Sequence, residues 1–571
     1  MEPMTANKTP ASDVSEMLER RASAIGDEFY EIPESQAGER QIALLLFILT
    51  CAYLSLFRRY TTMDPDEGIV LQGAQRILQG QVLYRDFFSF FTPGSYYLLA
   101  LLFKIFGDSF LVARTALVLF GGAYSVVTYL LARRVCTRGS ALLVAAIVSL
   151  TTLPYRFLVL HNWDSTLWAS LALYCAIRWV ESPRWKWALA TGSFASLTFL
   201  FEQSKGAGLW LGLAVGFLAN AWTGWRQQGQ LSGCRAKQLL GFTLGFVWPL
   251  LITCAYFGVQ HGLRVMLADW FWPLQHYSMA NRVPYGYQNW SDSARHLLFE
   301  TGPWWARVLT VVILSPCLLI PALPVIAIGI LVYWFVLGRH RRGPREKCAY
   351  YVLICAALSG LLLSVVIVRA DIVHFMYLQP LFGLVLAWIV DGRDIPGPWF
   401  RSMKSTVTAY VAVAFLGLAI PLIMRAVNAP EKLVTRRGVI AVPKKDTVID
   451  YVQAHVSPGE TVLVYPYLPL YYYLTGTFAP TRYEYLQPGM NTPQQSLEMI
   501  SELASGRVQV ILFESSFWEK IPNSWPGTPL SAIAHDPVAD YILRSFHTCK
   551  LLQSPSDWQF EFMVRKDSEC R

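Results

Sequence analysis

Acidic and basic side chains recur at five places where this chain turns between apolar runs. The first two lie in TTMDPDEGIVLQGAQRILQGQVLYRDFFSFFTPG, residues 61–94, which carries Asp64, Asp66 and Glu67 near its start and Asp86 near its end. The others are Asp164 in HNWD, Lys205 in EQSKGAG, and the trio Arg369, Asp371 and His374 in VRADIVHF. Ionised groups are expensive beside hydrocarbon and usually belong to a site. Carboxylates and cations together at a lipid surface suit one reaction well: attack by a hydroxyl on a sugar carried by a lipid phosphate. A carboxylate takes the acceptor's proton while Lys or Arg stabilises the phosphate as it departs. The bilayer then holds the donor's lipid tail.

Each position also has a plain structural reading. An Asp at the start of a helix caps it, so capping alone accounts for Asp164. Lys205 can snorkel to the headgroups, Asp66 and Glu67 can be solvated loop charges, and Arg369 with Asp371 can form an ion pair of little weight. An interfacial histidine such as His374 often satisfies only a local hydrogen bond. Their shared location is what favours function.

The elements that must position these groups follow from composition. Of 571 residues, 54% are hydrophobic and 15% charged, and the mean hydropathy is +0.35. Such a chain reads as a polytopic membrane protein. A span needs about 20 apolar residues, and suitable runs lie near 41–58, 111–132, 140–158, 165–180, 187–203, 206–222, 238–258, 304–337, 349–368, 375–391 and 405–425. The net charge of +9 resides largely in short links after alternate runs, such as Arg133, Arg134 and Arg138, or Arg184 and Lys186. By the positive-inside rule these links are cytoplasmic, and the charge orients the chain rather than binding nucleic acid. Arg58 and Arg59 break the rule locally.

The run SYYLLALLFKIFG, residues 95–107, is too short to span and is expected to lie flat at the interface. The run at 304–337 contains Pro316, Pro321 and Pro324, so a kink is expected there. Eleven spans then place 59–110, 159–164, 259–303, 369–374 and 426–571 on the outer face. All five acidic or basic places fall on that face.

The expected organisation is a cytoplasmic tail over 1–40, a membrane region over 41–425 with its first outer loop at 59–110, and a small extracytoplasmic α/β domain over 426–571. In that last part TVLVYPY (461–467) and VQVILFE (508–514) read as buried strands, and TPQQSLEMISELAS (492–505) as a helix capped by its Thr. The fold class is therefore mainly α, a helical membrane protein with a small α/β appendage. The cysteines show neither CxxC nor metal-ligand spacing. Cys549 and Cys570 share a polar region, where an oxidising compartment would permit a bridge.

The stretch PDEGIVLQGAQRILQGQVLYRDFFSFFTPGSYYLLALLFKIFG, residues 65–107, resembles the first outer loop of the GT-C glycosyltransferases. The likeness is to the bacterial branch related to protein O-mannosyltransferases and lipid A aminoarabinose transferases. In these families an Asp-Glu pair follows the first span, then come a Tyr and an acidic residue, then Pro and an interfacial helix ending in Phe-Gly. The likeness continues at Asp164, at Lys205-Gly206, and at YPYLPLYYYLTGTFAPTRY, residues 465–483. Gln203-Ser204 departs from the apolar-Thr context more usual before the Lys. The resemblance implies a GT-C fold at the bacterial inner membrane, with Asp66 as the catalytic carboxylate. Glu67 and Asp86 would shape the pocket, Asp164 would support it, and Lys205 would contact the donor phosphate. It implies a polyprenyl-phosphate sugar as donor, inversion at the anomeric carbon, and a glycan, lipid or protein acceptor. Some members bind a divalent metal and others do not, so no cofactor is assigned. Arg369, Asp371 and His374 join the site by topology alone.

Charged positions also mark translocation paths, so a transporter or flippase of a lipid-linked sugar is the alternative. Against it, the chain shows no inverted repeat and its acids gather at one face. A non-catalytic assembly protein would leave the carboxylates unexplained.

Overall fold

The computed structural model describes residues 36–228, 233–277, 279–288, 296, 303–337, 345–391, 398–485, 489–555 and 558–570. Most of the expected cytoplasmic tail and the links at 338–344 and 392–397 lie outside the described residues.

Helices occupy all eleven expected runs. In chain order they and their companions are α1 Gln36–Leu54, α2 Pro65–Leu78, α3 Gly94–Phe106, α4 Phe110–Ala132, α5 Arg138–Tyr155, α6 His161–Glu181, α7 Trp185–Phe201, α8 Gln203–Gln228, α9 Gly233–Val259, α10 Leu263–Trp272, α11 Trp304–Leu337, α12 Arg345–Val368, α13 Ile372–Asp391 and α14 Pro398–Val427. Among the described residues, seven regions, matching α1, α4, α5, α9, α12, α13 and α14, are long and apolar enough on their own to cross a membrane. Rows of exposed Leu, Ile and Val, such as Leu44, Leu45, Ile48 and Leu49 on α1 and Val413, Leu416 and Ile420 on α14, face outward. A surface of that kind is stable against lipid tails and not against water. The protein is a multi-pass membrane protein.

Helices α6, α7 and α8 fall outside that group of seven because they carry polar and ionisable residues inside the bundle. Asp164 and Lys205 are buried there. Helix–helix approach is set by small residues: a Cβ on Gly208 would overlap the Gly360 carbonyl, and one on Gly212 the Ala356 carbonyl, which joins α8 to α12 backbone to backbone. The prolines of 304–337 lie inside a single helical segment, α11. The short α3 carries exposed Leu101, Ile105 and Phe106 and ends at Gly107, whose φ of +88° stops the helix.

Beyond α14, strands β1 Glu431–Thr435 and β2 Gly438–Val442 form a hairpin. Strands β3 Val462–Tyr465, β4 Val510–Glu514, β5 Phe546–Gln553 and β6 Gln559–Arg565 form a sheet ordered β3-β4-β6-β5, parallel between β3 and β4 and antiparallel elsewhere. Both expected strands are present. The expected helix is Pro493–Ala504, with Thr492 and Gln495 forming a reciprocal capping box. The register shifts between Thr548 and Lys550, and Cys549, at the shift, is bonded to Cys570 with a Cα–Cα distance of 5.6 Å.

This α/β unit is fastened to the first loop. The Thr61 amide donates to the Ala441 carbonyl at 2.9 Å and the Ala441 amide to the Arg59 carbonyl at 2.8 Å. Arg437 pairs with Asp108, and Arg76 pairs with buried Glu484 at 3.0 Å. Gly68 on α2 packs so closely on the segment Leu470–Thr475 that a Cβ would overlap the Leu470 backbone. The loop and the appended unit therefore form one wall above the helix ends.

Candidate active site

Helix α2 begins at the sequence MDPDE, and its start is locally determined. Asp64 is the N-cap, its Oδ1 accepting from the Asp66 amide at 3.0 Å, and Pro65 fills the first helical position, where no amide is needed. This fixes Asp66 and Glu67 in the first turn, pointing different ways.

Asp66 faces the helix ends. Its Oδ2 accepts from Arg156 Nη2 at 2.8 Å and its Oδ1 from the Tyr467 hydroxyl at 3.0 Å, yet the side chain stays 39% exposed. Arg156 follows the last turn of α5, and the same Nη2 reaches both oxygens of Asp64, at 3.0 and 2.9 Å. Its Nη1 donates to the Tyr377 hydroxyl at 2.8 Å. Burial alone would raise Asp66, but the Arg156 guanidinium and the Tyr467 hydroxyl hold its carboxyl below the ordinary carboxylate range. At Asp64 burial prevails and the carboxyl is raised despite Arg156.

Glu67 turns inward. It is fully buried, bonded to Arg114 Nη2 at 2.6 Å and accepting from the Val159 amide at 3.0 Å. The pair locks the loop to α4 and to the segment before α6. Asp86 accepts from Arg85 at 2.8 and 2.9 Å and from the Val82 amide at 2.7 Å. It lies past the far end of α2, about 18 Å of helix away from Asp66 at 1.5 Å per residue, and the structure brings neither group into contact with the other.

His161 starts α6 and packs against Phe91 in a tilted contact, with ring centroids 4.2 Å apart. It interacts electrostatically with Glu202, Lys205, Asp66 and His374, so it marks the middle of the acidic and basic groups. Asp164 is not the cap of α6, because the helix begins earlier, with Leu160 in the cap position. The carboxylate instead accepts from the Ser95 hydroxyl at 2.5 Å, tying α6 to α3. Lys205 is 1% exposed. Its amine donates to the Asn162 carbonyl at 2.9 Å, Ser165 Oγ at 2.8 Å and Thr166 Oγ1 at 3.0 Å, and pairs with Glu202 at 2.8 Å. An ammonium has three protons, so these contacts take up its donors. Lys205 knots the start of α8 to α6.

At the start of α13, Arg369 donates through Nε to Asp371 Oδ2 at 2.5 Å, through Nη1 to Asn281 Oδ1 at 2.9 Å, and through Nη2 to the Ser524 carbonyl at 2.7 Å. Asp371 Oδ1 meets His374 Nδ1 at 2.6 Å. Burial opposes the charge on Asp371, but His374 and Arg369 overcome it and hold the carboxyl well below its usual range. Tyr277 interacts with Arg369, Asp66 and Asp371 together and accepts from Trp525 Nε1 at 3.3 Å. Two elements of the α/β unit, around Tyr467 and Trp525, thus close the site from above.

The structure therefore brings Asp66 and His374 into the electrostatic surroundings of His161, and Asp66, Arg369 and Asp371 into those of Tyr277, with Asp164 and Lys205 bracing the helices beneath, and leaves Glu67 and Asp86 apart. Arg156, His161, Glu202, Tyr377 and Tyr467 are the groups that reading by motif passed over. Their signal was present: an arginine and a histidine in the otherwise apolar LPYRFLVLHNW, and a glutamate three residues before Lys205.

Fold and site together define a membrane protein whose helix ends and appended domain enclose a carboxylate cluster crossed by arginines. Residues 92–233 match the family model described as dolichyl-phosphate-mannose-protein mannosyltransferase. The match takes in Arg156, His161, Asp164, Glu202 and Lys205, and the resemblance to GT-C glycosyltransferases drawn from the first loop stands. Among solved structures, the chain is similar to the Archaeoglobus fulgidus oligosaccharyltransferase in complex with Zn and sulfate, at 11% identity over 90% of this chain and 73% of that one, with a TM-score of 0.49. It is also similar to ArnT from Cupriavidus metallidurans bound to undecaprenyl phosphate, at 13% identity over 93% of this chain and 98% of that one, with a TM-score of 0.48. No curated protein matches the sequence.

Proposed function

We propose that the protein is a membrane glycosyltransferase. It moves a sugar from a polyprenyl-phosphate donor to a hydroxyl acceptor at the outer face of the bacterial inner membrane, inverting the anomeric carbon. In this reading the N-terminus is cytoplasmic and the α/β unit extracytoplasmic. One observation carries it: Asp66 is a partly exposed carboxylate held by Arg156 and Tyr467 and kept below the ordinary carboxylate range, and it shares Tyr277 as an electrostatic neighbour with Arg369 and Asp371. The description of the family matched by residues 92–233, which names a lipid-phosphate sugar, supports the donor class.

The step we propose uses these groups as follows. Asp66 accepts the acceptor's hydroxyl proton as the oxygen attacks the anomeric carbon, and the bond from that carbon to the phosphate oxygen breaks with its electron pair on the phosphate. In this reading Arg369 and the imidazole of His374, whose Nδ1 is occupied by Asp371, stabilise the charge that develops there. Lys205 holds α8 and α6 in place and contributes through the field. Glu67 fixes the loop, and Asp86 braces its far end. The acceptor is a glycan, lipid or protein hydroxyl.

The test is sugar transfer by purified, folded protein supplied with labelled polyprenyl-phosphate sugars and envelope extracts as acceptor. Asp66→Asn keeps the shape and removes the base, and is expected to lower kcat by at least about 100-fold. Unchanged transfer by that variant would show that Asp66 is not the base.

A further inference from the structure

We propose that Arg156 is the resident cation of this site, standing between Asp64 and Asp66 where a divalent ion would otherwise bind, so that transfer runs without a metal. The mechanistic half of this statement rests on the glycosyltransferase reading; the binding half does not.

Three carboxylate oxygens, both of Asp64 and one of Asp66, converge within 3.0 Å of the single atom Arg156 Nη2. Oxygens converging on one point are what Mg²⁺ or Ca²⁺ requires, at about 2.0–2.6 Å. Here the point is filled by a group that the fold fixes from behind. Arg156 Nη1 is bonded to Tyr377, the Arg156 carbonyl accepts from Trp163 Nε1 at 3.1 Å, and Trp163 is fully buried, with its ring edge-on to Tyr377 at 4.8 Å.

With Arg156 in place, no carboxylate oxygen of the pair is left over for a metal. Asp64 Oδ1 is also committed to the Asp66 amide as the helix cap, and Asp66 Oδ1 to Tyr467. Among the described residues, three or more His, Cys, Asp or Glu ligand atoms gather within 4.8 Å of one another only at His547, Cys549 and Cys570. That group lies by β5, at the opposite edge of the sheet from β3, and its two sulfurs are joined to each other. A divalent ion beside Arg156 would set three positive charges against two carboxylates, so ion and guanidinium exclude one another. Arg156 is thus a positioning residue that acts through Asp66.

Mn²⁺ titration followed by electron paramagnetic resonance on the full-length protein in detergent tests this without any substrate. The wild type is expected to take up no Mn²⁺ at this site, Arg156→Gln to take up about one ion per chain, Arg156→Lys none, and Arg156→Gln with Asp64→Asn none. Uptake by the wild type that disappears in Asp64→Asn would overturn the proposal, as would absence of uptake by Arg156→Gln and by the smaller Arg156→Ala. In the transfer assay, wild-type activity is expected to survive EDTA, and Arg156→Gln to lose about 100-fold in kcat with KM little changed. Activity abolished by EDTA and restored by Mn²⁺ would equally overturn it. If no donor is transferred under any condition, the glycosyltransferase reading fails while the resonance arms still decide who occupies the position.

Discussion

The two ends of the helix bundle are built from the same kinds of residue and behave differently. At the end opposite the α/β unit, Glu39 at the start of α1 is met by Arg133, Arg138 and the Tyr129 hydroxyl, Glu181 by Arg134 and Arg178, and Asp391 by Thr137 and Ser140. Arginine is in excess there, and each acid is paired within or between neighbouring helix ends. At the other end the acids Asp64, Asp66, Glu67, Asp164, Glu202 and Asp371 crowd around Arg114, Arg156, Lys205 and Arg369. Carboxylate is in excess, and Asp66 stays partly open. The distances are alike at both ends. What differs is the balance of charge and, at the second end, an aromatic wall from a separate folding unit above it.

The largest way to break this comparison is to neutralise one acid at each end. Asp66→Asn should lose at least about 100-fold in kcat, whereas Glu39→Gln, whose pairs lie at the opposite end and touch no reacting group, should leave transfer within about twofold. Equal losses would mean that both clusters are structural. Next in size is Gly68→Val. A side chain there cannot fit against the Leu470 backbone, so the α/β unit should lift from α2, with transfer falling more than about tenfold and limited proteolysis cutting the 427–431 connection, overpacking costing about 1–3 kcal/mol. Full activity in that variant would detach the aromatic wall from function.

Tyr467→Phe removes one hydrogen bond from Asp66, worth about 1 kcal/mol or roughly fivefold in rate. It also shifts a pH limb. Because Asp66 is held below the ordinary carboxylate range, kcat/KM for the wild type should stay level down to about pH 4. In Tyr467→Phe the fall should begin at higher pH. The smallest expected effect concerns stability. The folded value of Asp371 lies below its unfolded value of about 3.9, so its contribution is complete above that pH and is lost as the pH falls through the folded value. Asp371→Asn should therefore lower the thermal midpoint by a few degrees near pH 7 and by steadily less below about pH 4. Calorimetry in detergent at several pH values would show whether the difference fails to shrink in acid.

Much of the architecture was legible because lipid imposes a simple rule. A backbone crossing a bilayer must satisfy itself as helix, so runs of about 20 apolar residues mark the places of α1, α4, α9, α12, α13 and α14, with ends that differ by up to seven residues. The capping box at Thr492 and the buried strands around Val464 and Leu512 were equally local. Asp66, Arg369 and His374 could be nominated because charge at a helix end is costly wherever it occurs. The plain reading of Asp164 as a helix cap fails, since α6 starts one turn upstream and the carboxylate goes to Ser95. Glu67 and Asp66 are adjacent and chemically alike, and no pattern could tell which would face Arg114 inside the protein and which Arg156 at the opening. That distinction depends on helical phase, about 100° between neighbours, against surfaces supplied by α4 and α5.

The chain's own order of residues thus determined the membrane class, the places of the helices, the appended strands and the acidic character of one end, all of which are written in hydropathy and nearest neighbours. Tertiary structure alone decided that Arg156 would bridge two aspartates, that Tyr467, some 400 residues later, would touch Asp66, and that Lys205 would turn inward. Those outcomes are contacts between distant segments, and their energies depend on geometry that exists only once the helices and the sheet have packed.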